Sequence, residues 1–191
     1  MKISIPNASQ PSLYYIGIVL PEPLQSEITE IKEQLKHKYN WKAALKSPAH
    51  ITLIPPFSFL ESDESKLTGF CLNFQSGLNP FKITLNGFGH FDRHTLFISV
   101  ASNLLLMELY RAINSAFKDF IKDYLQKRKQ DVKVFHPHIT IGNRDMKPFE
   151  FNEAWQYYCQ QPFEADFSAN SIQLLKHNGQ SWDVGYTFNF N

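Results

Sequence analysis

His50 and His138 are each followed two positions later by a threonine, Thr52 and Thr140. On an extended strand the side chains at i and i+2 leave the same face, with a rise of roughly 3.3 Å per residue. Each histidine therefore looks the same way as its threonine. An imidazole titrates near neutrality, so it can accept a proton in one step and release it in another. A threonine hydroxyl can donate to a phosphate oxygen. Brought together across one groove, the four groups meet the needs of phosphodiester cleavage without a metal. One neutral ring removes a proton from the attacking water and a protonated ring gives one to the leaving sugar oxygen. The threonines and the cationic ring would hold the developing charge.

The repetition carries the weight. With seven histidines and seven threonines, a single His-x-Thr arises by chance in roughly a quarter of such chains, and two in only a few per cent. Both copies have apolar residues between and after the pair and a proline one or two positions before it: Pro48 for His50, Pro137 for His138. A lone copy would read more simply as a strand histidine satisfied by a neighbour, with a threonine present for its β propensity. Two copies in matching surroundings reverse that preference.

The elements around the pairs also repeat. Tyr14 to Leu20 is a short apolar strand ended by Pro21, and Pro23 opens an amphipathic helix to about Tyr39 through Ile28, Ile31 and Leu35. His50 to Ile54 reads as a strand closed by Pro55 and Pro56. Ser62 can cap a helix with Leu67, Phe70, Cys71 and Phe74 on its apolar side. Phe81 to Phe91 and Thr95 to Ala101 alternate like paired strands. A long helix then runs from about Asn103 to Leu125, and the basic connection Lys127 to Lys133 reads as a mobile loop. Phe135 to Ile141 forms the second motif strand, and Pro148 opens a helix with Phe151, Trp155, Tyr158 and Cys159 inward. Strands near Ile172–Leu175 and Val184–Phe190, with a turn at Asn178-Gly179, finish the chain. His50 to His138 spans 88 positions, and so does Cys71 to Cys159. These cysteines read as helix-core packing, and they align the repeat. The expectation is one bilobal domain over 1–191, with repeat halves of about 11–91 and 92–191.

A net charge of +1 excludes a strong sequence-independent grip on duplex DNA, yet permits a small phosphate ligand or a single-stranded RNA end. Met1 to Gln10 does not read as a secretory signal, and no apolar run reaches bilayer length. Two cysteines make neither a disulfide framework nor a metal-type spacing, which suits the cytoplasm.

His50-Ile-Thr-Leu and Pro137-His-Ile-Thr-Ile resemble the paired His-x-Thr/Ser-apolar signatures of the two-histidine phosphoesterase superfamily. The 2′-5′ RNA ligase and cyclic phosphodiesterase branches are nearest in style, and Val134 to Gly142 is the closer match. The resemblance spans most of the chain. It implies an α+β fold of two pseudo-symmetric lobes, each an antiparallel sheet with helices on its outer face, around a central cleft. It further implies cleavage of 2′,3′-cyclic or 2′-5′-linked nucleotide phosphodiesters, with His50 and His138 catalytic, Thr52 and Thr140 phosphate-binding, and no metal or other cofactor. The family often carries an arginine five residues after the second motif histidine; Asn143 stands there, with Arg144 beside it. The expected partner is a nucleotide or RNA terminus with a cyclic phosphate, bound by a monomer without membrane or duplex DNA.

Other residues leave choices open. Phe57 and Phe135 flank the motifs and could stack on a base or pack in the core. Arg144, Lys133 and Lys46 could bind phosphate or be solvated loop charges. His136-x-His138, with His90 and His94, could ligate a metal, although no carboxylate or cysteine stands at matching spacing. His37 and His177 read as surface residues. A non-catalytic RNA-end binding module and a His-ligated metal hydrolase are therefore the rival readings.

Overall fold

The computed structural model describes residues 10–75, 77–122, 124 and 134–191. Among them the order is β1 (Pro11–Val19), α1 (Leu24–Tyr39), β2 (His50–Leu60), α2 (Glu64–Gln75), β3 (Phe81–Phe91), β4 (Thr95–Val100), α3 (Leu104–Ile121), β5 (His138–Asn143), α4 (Pro148–Tyr158), β6 (Glu164–Ala169), β7 (Ser171–His177) and β8 (Trp182–Asn189). The strands form two antiparallel four-stranded sheets, ordered β2-β1-β7-β8 and β5-β4-β3-β6. The fold is α+β with two sheets and four helices among the described residues, as the family resemblance implied.

The sheets do not follow the two halves of the sequence. β7 and β8 return from the C-terminal end to complete the sheet that β1 and β2 begin, while β3 joins β4 to β6. β1 lies between β2 and β7, and Tyr14 to Ile18 are buried on both faces. A strand covered on both sides reads as an unbroken apolar run, and Tyr-Tyr-Ile-Gly-Ile is one. In α3 the residues Leu106, Leu109, Ile113, Phe117 and Ile121 recur at helical spacing and are all buried. Asn103 starts that helix, its side-chain oxygen accepting from the Leu106 amide at 3.0 Å.

Helices cross between the motif strands. α1 precedes β2 but packs against β5, and α3 precedes β5 but packs against β2. One apolar cluster joins Ile16, Ile51 and Ile54 of the first sheet to Ile83, Ile98 and Ile139 of the second. The two motif strands are thus fixed by a shared core.

Several elements differ from the sequence reading. β2 does not stop at Pro55 but continues to Leu60. Tyr14 pairs with Phe57 and Ile16 with Ile54, so Pro55 and Pro56 together oppose Tyr15 in a bulge. β2 is an edge strand, where the amides the prolines lack have no neighbouring strand to serve. A second bulge leaves Leu53 between the Ile54 and Thr52 pairs, and its carbonyl accepts from Asn114 Nδ2 of α3 at 3.1 Å. β5 begins at His138 rather than Phe135, because Pro137 offers no amide to a ladder. β6 escaped the reading altogether. Cys71 is buried as expected, whereas Cys159 is exposed at the end of α4. No helix among the described residues is long and apolar enough to cross a membrane.

Candidate active site

Both motifs show the same alternation. His50 and Thr52 are half-buried while Ile51 and Leu53 are fully buried. His138 and Thr140 are half-buried while Ile139 and Ile141 are buried. The apolar partners enter the shared core, so each histidine and threonine are left on the opposite face. β2 and β5 lie in contact, and Thr52 and Thr140 meet in the wall of one cavity of about 590 Å³, with His50.

The rings are held alike. His50 Nδ1 lies 2.7 Å from the carbonyl of Pro48, and His138 Nδ1 lies 2.7 Å from the carbonyl of His136. A carbonyl only accepts, so in each ring Nδ1–H donates and the neutral imidazole carries its lone pair on Nε2. His50 Nε2 sits 3.1 Å from the Thr52 hydroxyl. Behind His50 the hydroxyls of Tyr15 and Ser47, 2.6 Å apart, both stand 3.3 Å from Nδ1. His138 has an aromatic setting: Phe91 meets its ring edge-on at 4.8 Å and Phe97 lies at 5.0 Å. His138 itself is not part of the cavity wall, but it is close enough to His50 to act on it electrostatically.

Burial pushes His50 down from its ordinary 6.5 to about 4. The Pro48 hydrogen bond opposes that shift, and the nearby charges of Lys32 and His138 add to it. His138 moves in the same direction, again chiefly through burial; the hydrogen bond to the His136 carbonyl opposes the shift and the His136 charge adds to it. Both shifts favour the neutral ring at pH 7, and a bound anion would raise the proton affinity again.

The rest of the wall comes from distant segments. Tyr15, Lys32, Lys42, Lys46, Ser47, Asn143, Arg144, Asp145, His177 and Trp182 all line it. Asp145 accepts from the backbone amides of Lys42 and Ala43 at 2.5 and 2.9 Å, tying the Lys42–Lys46 segment to the end of β5. Arg144 adopts φ 54 in the turn that follows β5. Asn143 has a buried side-chain oxygen without a partner among the described residues. Trp182 meets Tyr15 and His177 edge-on at 4.7 and 4.9 Å.

Of the residues singled out in the sequence, His50, Thr52, Thr140, Arg144 and Lys46 line this cavity, with His138 adjacent. Phe57 does not: it is 3% exposed and packs on Tyr14, Phe59 and Phe117. Phe135 stacks on Tyr110 with ring centres 3.7 Å apart and is likewise absent from the wall. Lys133 and the Lys127–Lys133 connection lie outside the described residues. His177 corrects its surface reading by lining the cleft. Among the described residues no three His, Cys, Asp or Glu side chains gather as a metal cage; His90 instead packs against Phe151 and Trp155. The sequence reading missed Tyr15, Lys32 and Trp182.

Comparison with known proteins agrees with this fold. The family model described as the 2′-5′ RNA ligase superfamily matches residues 20–181. Escherichia coli LigT complexed with 3′-AMP superposes with a TM-score of 0.64 at 17% identity, covering 95% of this chain and 99% of that one. TT0787 of Thermus thermophilus gives 0.64 at 16% identity, covering 93% and 97%. A structure described as a phosphoesterase gives 0.58 at 18% identity, covering 94% and 99%. No curated protein matches. With the family model spanning most of its length, the chain belongs to the 2′-5′ RNA ligase superfamily.

Proposed function

We propose that the cleft hydrolyses a nucleoside 2′,3′-cyclic phosphate, or an RNA end that carries one, through His50 and His138 and without a metal. The carrying observation is the paired geometry. Two His-x-Thr strands share one in-and-out pattern, and each Nδ1 is occupied by the carbonyl two residues earlier. Nε2 is thereby the basic nitrogen of each ring, and at His50 it holds the Thr52 hydroxyl at 3.1 Å until substrate displaces it. Thr52 and Thr140 donate to the phosphoryl oxygens, where charge grows as water adds to phosphorus. His50, the more strongly depressed ring, takes the proton from that water. His138, once the bound anion has raised its affinity, gives a proton to the departing ribose oxygen as the bond from phosphorus to that oxygen breaks. Trp182 offers an aromatic face to the base, and the free oxygen of Asn143 accepts from a nucleotide hydroxyl or amine. Relatives of the same fold solved with 3′-AMP, NADP+ and ATP support a nucleotide ligand.

The test is turnover of a panel of 2′,3′-cyclic nucleotides by protein treated with EDTA. A bell-shaped pH profile is expected, with losses of about 10²- to 10⁴-fold in His50→Ala and in His138→Ala. Undiminished turnover by either variant refutes the mechanism. Tight binding without turnover selects a non-catalytic RNA-end module, and inhibition by EDTA selects a metal hydrolase.

A further inference from the structure

Lys32 sits in α1 between Ile28 and Leu35, on the helix's buried face, and is only 3% exposed. Lysines are almost never so buried unless paired. Yet among the described residues Lys32 meets no carboxylate, and its hydrogen bond is to the Ser47 carbonyl at 3.1 Å. Two of its three N–H donors remain for another partner. Burial alone has pulled the ammonium down to about 8, the signature of a charge whose counter-ion is missing from the protein.

The side chain lines the same cavity as His50, and its charge reaches the ring. Ser47, whose carbonyl holds Lys32, has its hydroxyl on His50 Nδ1, whereas the cleaved phosphate belongs with Thr52 on the Nε2 side. Lys42, Lys46 and Arg144 also border the cavity, and the wall's carboxylate, Asp145, is held by two backbone amides. A phosphodiester carries a single negative charge, already met by the threonines and an imidazolium. Among the described residues Asp145 is the one acidic group in a wall that also holds Lys32, Lys42, Lys46 and Arg144.

We propose that Lys32 forms a second anion subsite, so that the preferred substrate is a nucleotide bearing a further phosphate besides the one that is cleaved. This rests on the reading of the cleft as a phosphodiesterase site and names its substrate class.

Calorimetric binding of adenosine 3′-monophosphate and adenosine 3′,5′-bisphosphate tests it without turnover. Wild-type protein is expected to favour the bisphosphate by about tenfold or more, as a charge-assisted contact gives. Lys32→Met should bind both ligands alike; Lys32→Gln provides a second variant, with the melting temperature checked for each. In the wild type alone, the preference should fade as pH rises through about 8, well below the range where exposed lysines lose their charge. No preference in the wild type, its survival in both variants, or an equal loss for both ligands overturns the subsite. Loss of the preference in Lys32→Met, alongside a wild type that cleaves no cyclic nucleotide, refutes the catalytic reading and keeps the subsite.

Discussion

The depressed His50 ring makes the stability of the empty protein depend on pH in a defined window. Unfolded, the ring has its ordinary value of 6.5; folded, it lies at about 4. Between these values the unfolded chain binds a proton that the native state refuses, so stability falls as pH drops below about 6.5 and levels off below about 4. At about 1.4 kcal/mol per unit the full loss is roughly 3 kcal/mol. His138 contributes with the same sign over a smaller range. Carboxylates held by ion pairs, such as Glu64 beside Lys176, also lose stability in acid, but below their ordinary 4.5. The interval from about pH 5 to 6.5 therefore isolates the histidines. Urea unfolding across it should give a wild-type slope that His50→Gln flattens by up to about 1 kcal/mol per pH unit. Saturating inorganic phosphate should flatten it too, because the anion stabilises the imidazolium. Equal slopes in wild type and variant, or a His50 NMR titration near its ordinary 6.5, would refute the reasoning.

Further variants separate anchoring, packing and recognition. The Gln25 side chain accepts from the Ala49 amide at 2.6 Å and donates to the carbonyls of Ala49 and Leu20 at 3.1 and 3.2 Å. At about 1 kcal/mol each, Gln25→Ala should lower the melting temperature by on the order of 5–10 °C; an unchanged melt contradicts the anchoring of the chain before His50. A Cβ on Gly17 would stand 2.8 Å from the Ile51 carbonyl oxygen, so Gly17→Ala must separate β1 from β2 beside His50. It should cost about 1–3 kcal/mol in urea unfolding and most of the activity. Phe57→Ala should destabilise by about 3–5 kcal/mol in the same assay. Trp182→Ala should instead weaken nucleotide binding about tenfold by calorimetry; the reverse assignment of these two effects would return Phe57 to the cleft.

The motif pairs were legible because strand periodicity alone puts His50 with Thr52 and His138 with Thr140 on one face. α3 was legible because Leu106, Leu109, Ile113 and Phe117 repeat at helical spacing. β6 was overlooked: Ala165, Phe167 and Ala169 do alternate with Glu164, Asp166 and Ser168, but alanine, aspartate and glutamate are poor strand formers and mute the signal. Pro55 and Pro56 suggested an end to β2 because the bulge opposite Tyr15 depends on the register with β1, which no local signal specifies. Tyr15, Lys32 and Trp182 reach the cleft from β1, α1 and β8, so their meeting is a product of topology. Lys32 alone left a local trace, a lysine between Ile28 and Leu35 on the apolar side of an amphipathic helix.

The central claim is most directly tested by NMR of protein with ¹⁵N-labelled imidazoles, titrated with a nucleoside 3′-monophosphate at about pH 7. The signals of both His50 and His138 should move and saturate together at one equivalent of ligand, with His138 Nε2 shifting toward the imidazolium position. Movement of one ring alone, or two separate saturation curves, would contradict it.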